Sequence, residues 1–453
     1  MTARARMTPI DRSLTDALLA KVTRKGATAA DVVAVEGDSA SVQVRLGAVD
    51  RLSKAQEKRL GLRVYFGHRS AGASTSDFAP AALDDLVETT CALAQAVVED
   101  PHSGLPDANA QAKELPDLDL YDGQTLPMDR MIELATRTEQ AALAVDPRLS
   151  NSEGADFSTF GGRTVFANSQ GFYGEYPSSS FSSSVSPIAV QDGLMQRDYW
   201  YAVGRKFATL DSPEAVGKEA GRRTVRRLGA RKVSTCRVPV VFDQEMAGSF
   251  LGNLCSAVNG YAIYKGASYL IGRLGERIAP ETVTVCDDGR MQGGLGSKPF
   301  DGEGLATRKN VVVERGVLKT YLLDTYAARK LNLASTGNAS RSVGEAPSAG
   351  ATNFYLAPGT VSPEEIVRSV KRGLYVTELI GFGINMVTGD YSRGAVGFWI
   401  ENGELTYPVE EITIAGNLKD MWMHVEAIGN DLVFRGRLAS PTVKIAEMTV
   451  AGG

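Results

Sequence analysis

Hydrolytic chemistry needs a metal cage, an activated nucleophile or a working pair of carboxylates, and this sequence offers few side chains for any of them. Its three histidines are His68, His102 and His424. A catalytic zinc takes three protein ligands, usually two of them close in sequence, so histidines this dispersed define no metal site. Cys91, Cys236, Cys255 and Cys286 form no Cys-x-x-Cys pair, which argues against a zinc ribbon or a disulfide framework and for ordinary reduced, partly buried thiols. Ser256 and Ser392 have no histidine near them in sequence, although triads are assembled by the fold and not by spacing. Asp287-Asp288 and Glu410-Glu411 read as solvated edge charges. GGLGSK, residues 293–298, lacks the spacing of a phosphate loop and reads as a turn. GFGINMVTGDYSRG, residues 381–394, reads as tight turns between strands.

The segment that should position a site is DQEMAGSFLGNLCSAVNG, residues 243–260, with a central helix expected over 245–258 and a stop at Asn259-Gly260. Met246, Phe250, Leu254 and Val258 make one stripe at helical spacing, and Ala247, Leu251 and Cys255 make the next. Gly248, Gly252 and Ser256 form a third stripe of small residues. Glycine within a helix costs about 1 kcal/mol relative to alanine, so two of them call for a packing reason such as close backbone approach. A helix apolar around most of its circumference is buried, which predicts strands enclosing it.

The bulk properties fit a large folded protein. With 453 residues, 43% of them hydrophobic, the chain can bury a core spread over two or three domains. A net charge of −4 gives no global attraction to nucleic acid or anionic membrane. Arg4, Arg6, Asp11, Arg12 and Asp16 interrupt any signal-peptide core, and no apolar run reaches the roughly 18 residues of a spanning helix; a soluble, cytoplasmic protein is expected.

Along the chain, an α/β unit is predicted over 1–105, a connector over 106–127, a middle α/β unit over 128–232 and a β-rich domain over 233–453. Leu14, Leu18 and Val22 mark a first helix capped by Asp11 and stopped by Gly26. DVVAVEGDSASVQVRL reads as strand–turn–strand about Gly37-Asp38, followed by strands flanking Gly67-His68 and a helix carrying Leu83, Leu86, Val87 and Leu93. A helix from Pro127 to Val145 precedes strands over 149–206, in which SSSFSSSVS, residues 178–186, fits an exposed strand. Ser212-Pro213 opens a further helix whose end carries the basic cluster Arg222, Arg223, Arg226, Arg227, Arg231 and Lys232. Cations in a last helical turn are favoured by the helix dipole, so a solvated helix end is expected there and not a nucleic-acid patch. Turns are predicted at Asp287-Asp288-Gly289, Glu314-Arg315-Gly316 and Asn402-Gly403, and no repeat of 20 to 50 residues stands out.

Several long stretches carry a family resemblance: VPVVFDQEMAGSFLGNLCSAVNGYAIYKGASYL, STGNASRSVGEAPSAGATNFYLAPG (335–359), residues 375–421, NSEGADFSTFGGRTVFANSQGF (151–172) and RDYWYAVGR (197–205). Over residues 30–453 the chain resembles the TldD/PmbA family in its PmbA (TldE) branch. The resemblance implies an α+β fold, with an α/β N-terminal portion and a β-rich C-terminal portion wrapped around a buried central helix. In the catalytic TldD branch that helix carries His-Glu-x-x-x-His, which binds zinc and activates water. Aligned on Gly248, those ligand and base positions fall on Gly252, Asn253 and Ala257, and the family's later cysteine ligand has no counterpart after Cys286. The resemblance thus implies no catalytic or metal-binding residue and no cofactor in this chain, with zinc held by a TldD-like partner. The resulting heterodimer would act on unfolded or modified peptides, with no membrane or direct nucleic-acid contact; whether a homodimer forms when the partner is missing is left open by the sequence. The alternative is a stand-alone adaptor or a DNA-gyrase-modulating binding protein.

Overall fold

The computed structural model describes residues 10–452; Arg4 and Arg6 lie outside them. Helix α1 (Arg12–Arg24) starts at Asp11, whose carboxylate accepts the Leu14 N–H at 2.9 Å, and it buries Leu18, Leu19 and Val22 against the sheet. Strands β1 (Ala29–Arg45), β2 (Ala48–Phe66) and β3 (Arg69–Thr75) follow, then α2 (Pro80–Ala96). Leu83, Leu86 and Val87 are buried on α2, whereas Leu93 faces out. The chain does not reverse at Gly37-Asp38: β1 runs straight through and turns at Leu46-Gly47, both at positive φ. Gly37 is small for another reason. It lies opposite Gly162 of the neighbouring strand, where an added Cβ would sit 2.9 Å from the Gly161 carbonyl oxygen.

The same order of elements then recurs. Helix α3 (Met128–Leu143) precedes β4 (Leu149–Asn168), β5 (Tyr173–Gln191), β6 (Leu194–Arg197) and β7 (Trp200–Gly204), and α4 (Pro213–Val225) closes the unit. Antiparallel pairing of β1 with β4 merges both units into one sheet of order β3-β2-β1-β4-β5-β6, with β7 also on β5. One face is covered in two blocks. Helices α1 and α2 pack over Val32, Ala34, Leu62 and Val64, and α3 and α4 over Val42, Val44, Phe157 and Val185. The serine tract is not an exposed strand: in β5 it lies inside the sheet, with Phe181 and Val185 only 2% and 1% exposed. Alternation there sorts residues between the helix-covered face and a half-buried one, and small hydroxyls bond within the sheet, as Ser158 Oγ and Ser182 Oγ do at 2.8 Å.

The C-terminal portion is a closed barrel beside a second sheet. Strand β8 (Cys236–Phe242) lies between Arg372–Ile384 and Val443–Ala451; Asp390–Glu401 and Glu404–Asn417 continue the ring, and the last pairs with Val443–Ala451 to close it. The Asn402-Gly403 hairpin has both residues at positive φ, 51° and 84°, as a primed turn requires. Helix α5 (Gln244–Ala257) packs on β8 and Arg372–Ile384 on one side, and on Phe354–Leu356 and Leu438–Ala439 of the five-stranded sheet on the other. Its Phe250 stacks between Phe242 (ring centroids 5.8 Å) and Trp422 (4.3 Å), anchoring the largest core. The fold is thus mixed α+β, with an α/β front half and a β-rich back half around a central helix. No helix of the described residues is long and apolar enough to cross a membrane.

Polar seams join the halves. Asp31, fully buried on β1, accepts from Arg63 Nε at 2.9 Å and pairs with Arg341 from the far loop. Burial opposes ionisation of Asp31, yet the two guanidiniums outweigh it and hold the carboxyl below its ordinary range. Part of the basic cluster forms a second seam, and there the expected solvated helix end is corrected. Arg223 and Arg227 are 6% and 7% exposed, facing Asp198, Asp243 and Glu378. Arg226 and Arg231 lie over the rings of Phe398 and Tyr407, and Arg222 and Lys232 pair with Glu219 and Glu411. Acids distant in sequence turn Arg223 and Arg227 inward, while Arg222, Arg231 and Lys232 stay exposed. Asp287 is likewise no solvated acid: it is fully buried and accepts from Asn338 Nδ2 at 2.6 Å and Thr352 N at 2.7 Å.

Candidate functional site: the open face of the central helix

One side of α5 remains uncovered. Gly248, Gly252 and Ser256 do not meet neighbouring backbone: a Cβ at Gly248 would find its nearest neighbour at 4.0 Å and one at Gly252 at 3.5 Å, both on Leu438. The close approach expected for α5 occurs instead on α4. There a Cβ on Gly217 would lie 2.3 Å from the Thr138 oxygen and one on Gly221 2.6 Å from the Ala142 oxygen, because α3 packs directly onto that stripe. Of the two α5 glycines, Gly248 lines a cleft of about 230 Å³.

Three parts of the chain build this cleft. Helix α5 supplies Gln244, Glu245, Gly248 and Ser249; the loop leading into Leu438–Ala439 supplies Val433, Arg435, Gly436 and Leu438; β7 of the front half supplies Tyr201. Asp243 caps α5, accepting the Met246 N–H at 2.9 Å; burial raises its carboxyl to about 6, although Arg223 opposes this. Tyr201 donates to Glu245 Oε2 at 2.8 Å and Arg435 approaches the other oxygen at 3.8 Å, while Arg435 also lies over the Trp200 ring at 4.6 Å. Arg393 donates to Ser249 Oγ at 2.9 Å. Its hairpin carries Phe382, 93% exposed, flanked by exposed Ile380 and Val387.

Of the positions singled out in sequence, Gly252 and Asn253 are half-buried beside the cleft, Asn253 turning its amide back to the Ser249 and Phe250 carbonyls at 3.3 Å. Ala257 is fully buried in the core. Five residues are about 140° of helical rotation, so Gly252 and Ala257 do not share the open face. Ser256 donates to the Gly252 carbonyl at 3.0 Å. Burial pushes the Cys255 thiol up to about 12, away from any thiolate role. The histidines lie apart: His68 contacts the Ser103 carbonyl at a turn, His102 sits in a turn after α2, and His424 is exposed at a helix end.

A zinc ion requires imidazole, thiolate or carboxylate donors, and Glu245, already engaged by Tyr201, is the one such side chain lining the cleft. Among the described residues no three His, Cys, Asp or Glu side chains converge as a metal requires. The residues present do not fit a catalytic zinc. At Gly248 the helix presents no side chain to the cleft, and Tyr201, Glu245 and Arg435 form a linked polar wall. Tyr201, Glu245, Arg393 and Arg435 were not singled out in sequence, although the stretches 197–205, 243–260 and 375–421 contain the first three.

Comparisons with known proteins agree along the whole chain. Models of the PmbA/TldA metallopeptidase domain 1, central domain and C-terminal domain match residues 30–94, 121–228 and 235–452. The chain is 40% identical to the metalloprotease PmbA of Escherichia coli O157:H7 over 93% of its own length and 92% of that protein's. It is 36% identical to the PmbA homologue of Haemophilus influenzae, covering 95% and 94% of the two chains. A crystal structure from Bacteroides thetaiotaomicron, described as a candidate modulator of DNA gyrase, superposes with a TM-score of 0.91 at 28% identity over 99% of this chain and all of that one. TldE from Thermococcus kodakarensis shares the fold, with a TM-score of 0.84 at 21% identity over 96% and 99%. The chain belongs to the PmbA/TldD metallopeptidase family, in its PmbA/TldE branch.

Proposed function

We propose that this protein is the non-catalytic subunit of a two-chain cytoplasmic metallopeptidase, pairing with a zinc-bearing TldD-like chain and shaping the path of unfolded or modified peptides. The open face of α5 carries the proposal: where the helix faces a cleft it presents Gln244, Glu245, Gly248 and Ser249, and among the described residues no donor set for zinc surrounds it. A cleft that keeps its walls without a metal donor set suits substrate guidance. The nearby Phe382 hairpin adds support, since a large ring almost wholly in water is best explained by burial against another chain. Peptide cleavage by this chain alone, by a TldD-like partner alone and by the mixture tests the assignment. Activity confined to partner-containing samples is expected. Cleavage by the lone chain, with one equivalent of bound zinc, overturns it.

The description attached to the Bacteroides structure motivates a second reading, a gyrase-modulating binding protein. It finds less support, because all six cations of the basic cluster are engaged within the chain. Capture from native lysate separates the two: recovery of gyrase without any zinc-peptidase chain favours the second.

A further inference from the structure

Strand β2 leaves a long edge open. It pairs with β1 from Ala48 to Tyr65, but β3 covers its other side only from Leu60 onward. From Ala48 to Glu57 every residue is exposed, Val49 and Leu52 by 45% and 50%. A free edge of backbone N–H and C=O groups is a template for another strand.

We propose that this edge pairs antiparallel with the same edge of a second copy, so that one sheet runs through a two-fold dimer. Opposed residues in an antiparallel ladder both point their backbone groups inward or both outward, in alternation. A self-paired edge therefore admits only registers in which opposed residue numbers sum to an even value. Shifts that bring Lys54 opposite Lys58, or Arg51 opposite Arg59, place like charges together. The register centred on Lys54 brings Arg51 opposite Glu57 twice, across the two-fold. Regular alternation on this edge begins at Arg51, because a bulge opposite Val44 takes up Asp50, and it ends at Arg59, where β3 begins. Within that span the two Arg51–Glu57 pairs select the register, and its one repulsion is Lys54 against its own copy.

This pairing does not rest on the peptidase reading, and either can fail without the other. Sedimentation equilibrium on the full chain tests it. The wild type is expected as a dimer, and Arg51→Glu and Glu57→Arg, both on exposed residues, should each weaken it at least about tenfold by turning two attractive cross-strand pairs repulsive. The double swap should restore it, and Lys54→Gln should tighten it. Circular dichroism checks that each variant stays folded. A monomeric wild type, unaltered single variants or a swap that fails to restore the dimer overturns the proposal, as does a chain that gains mass only with added peptide or a TldD-like protein.

Discussion

Two glycine stripes at identical four-residue spacing should respond oppositely to a single methyl group. In Gly248→Ala and Gly252→Ala the new Cβ enters open or ordinary contact distance, 4.0 and 3.5 Å from Leu438. What remains is the helical entropy gain, about 0.5–1 kcal/mol in favour of alanine. In Gly217→Ala the Cβ would lie 2.3 Å from the Thr138 oxygen and 2.7 Å from the Ala141 Cβ, and in Gly221→Ala 2.6 Å from the Ala142 oxygen. Relieving that overlap means pushing α3 and α4 apart by roughly 1 Å. Overpacking of this kind costs about 1–3 kcal/mol or more, which outweighs the same entropy gain. Thermal and urea unfolding of the isolated chain should therefore raise the transition for Gly248→Ala and Gly252→Ala and lower it for Gly217→Ala and Gly221→Ala. A fall for Gly248→Ala comparable to that for Gly217→Ala would refute the reasoning, since it would mean that the face of α5 is covered in the folded chain.

Three further outcomes follow from the buried charges. Arg223→Ala leaves Asp243 without its cation and Asp198 with only Arg227 at 4.0 Å, and should cost about 3–5 kcal/mol in urea unfolding, whereas Arg222→Ala, losing a surface pair with Glu219, should cost less than about 1 kcal/mol. Asp31→Ala strands the Arg63 and Arg341 guanidiniums and should destabilise by a similar 3–5 kcal/mol or so; limited proteolysis should show the 335–359 loop cleaved faster than in the wild type. Glu303 is buried, and burial together with Asp301 and Asp324 raises its carboxyl to about 7. The folded state therefore holds a proton that the unfolded state releases near pH 4.5, so this group lowers stability as pH rises from there to about 7, by up to about 1.4 kcal/mol per unit. Glu303→Gln should flatten that slope and raise the melting temperature at pH 8 relative to wild type; an unchanged pH profile would count against it.

Local signals were legible where a residue's own backbone or a helical period decides. Asp11 and Ser212 capped helices, Asn402-Gly403 turned a hairpin, and the stripes of residues 243–260 placed the central helix, because capping, positive φ and amphipathic spacing act within a few residues. The family motifs, being long, fixed the kinship. Misreadings arose wherever the partner lay far along the chain. Gly37 signalled a turn, yet its purpose is contact with Gly162; the serines of β5 suggested exposure until strands on both sides enclosed them. Arg223 and Arg227 suggested a solvated helix end because Asp198, Asp243 and Glu378 come from other elements. The two glycine stripes make the same point for the site. Spacing says that glycine is required on α4 and α5 alike, but only the placement of α3 on one and a cleft on the other decides which is packing and which is an opening. Sequence alone determined which donor atoms the helix carries, since these are a property of residue type; tertiary structure decided which of its faces meets solvent, since that depends on what the rest of the chain puts beside it.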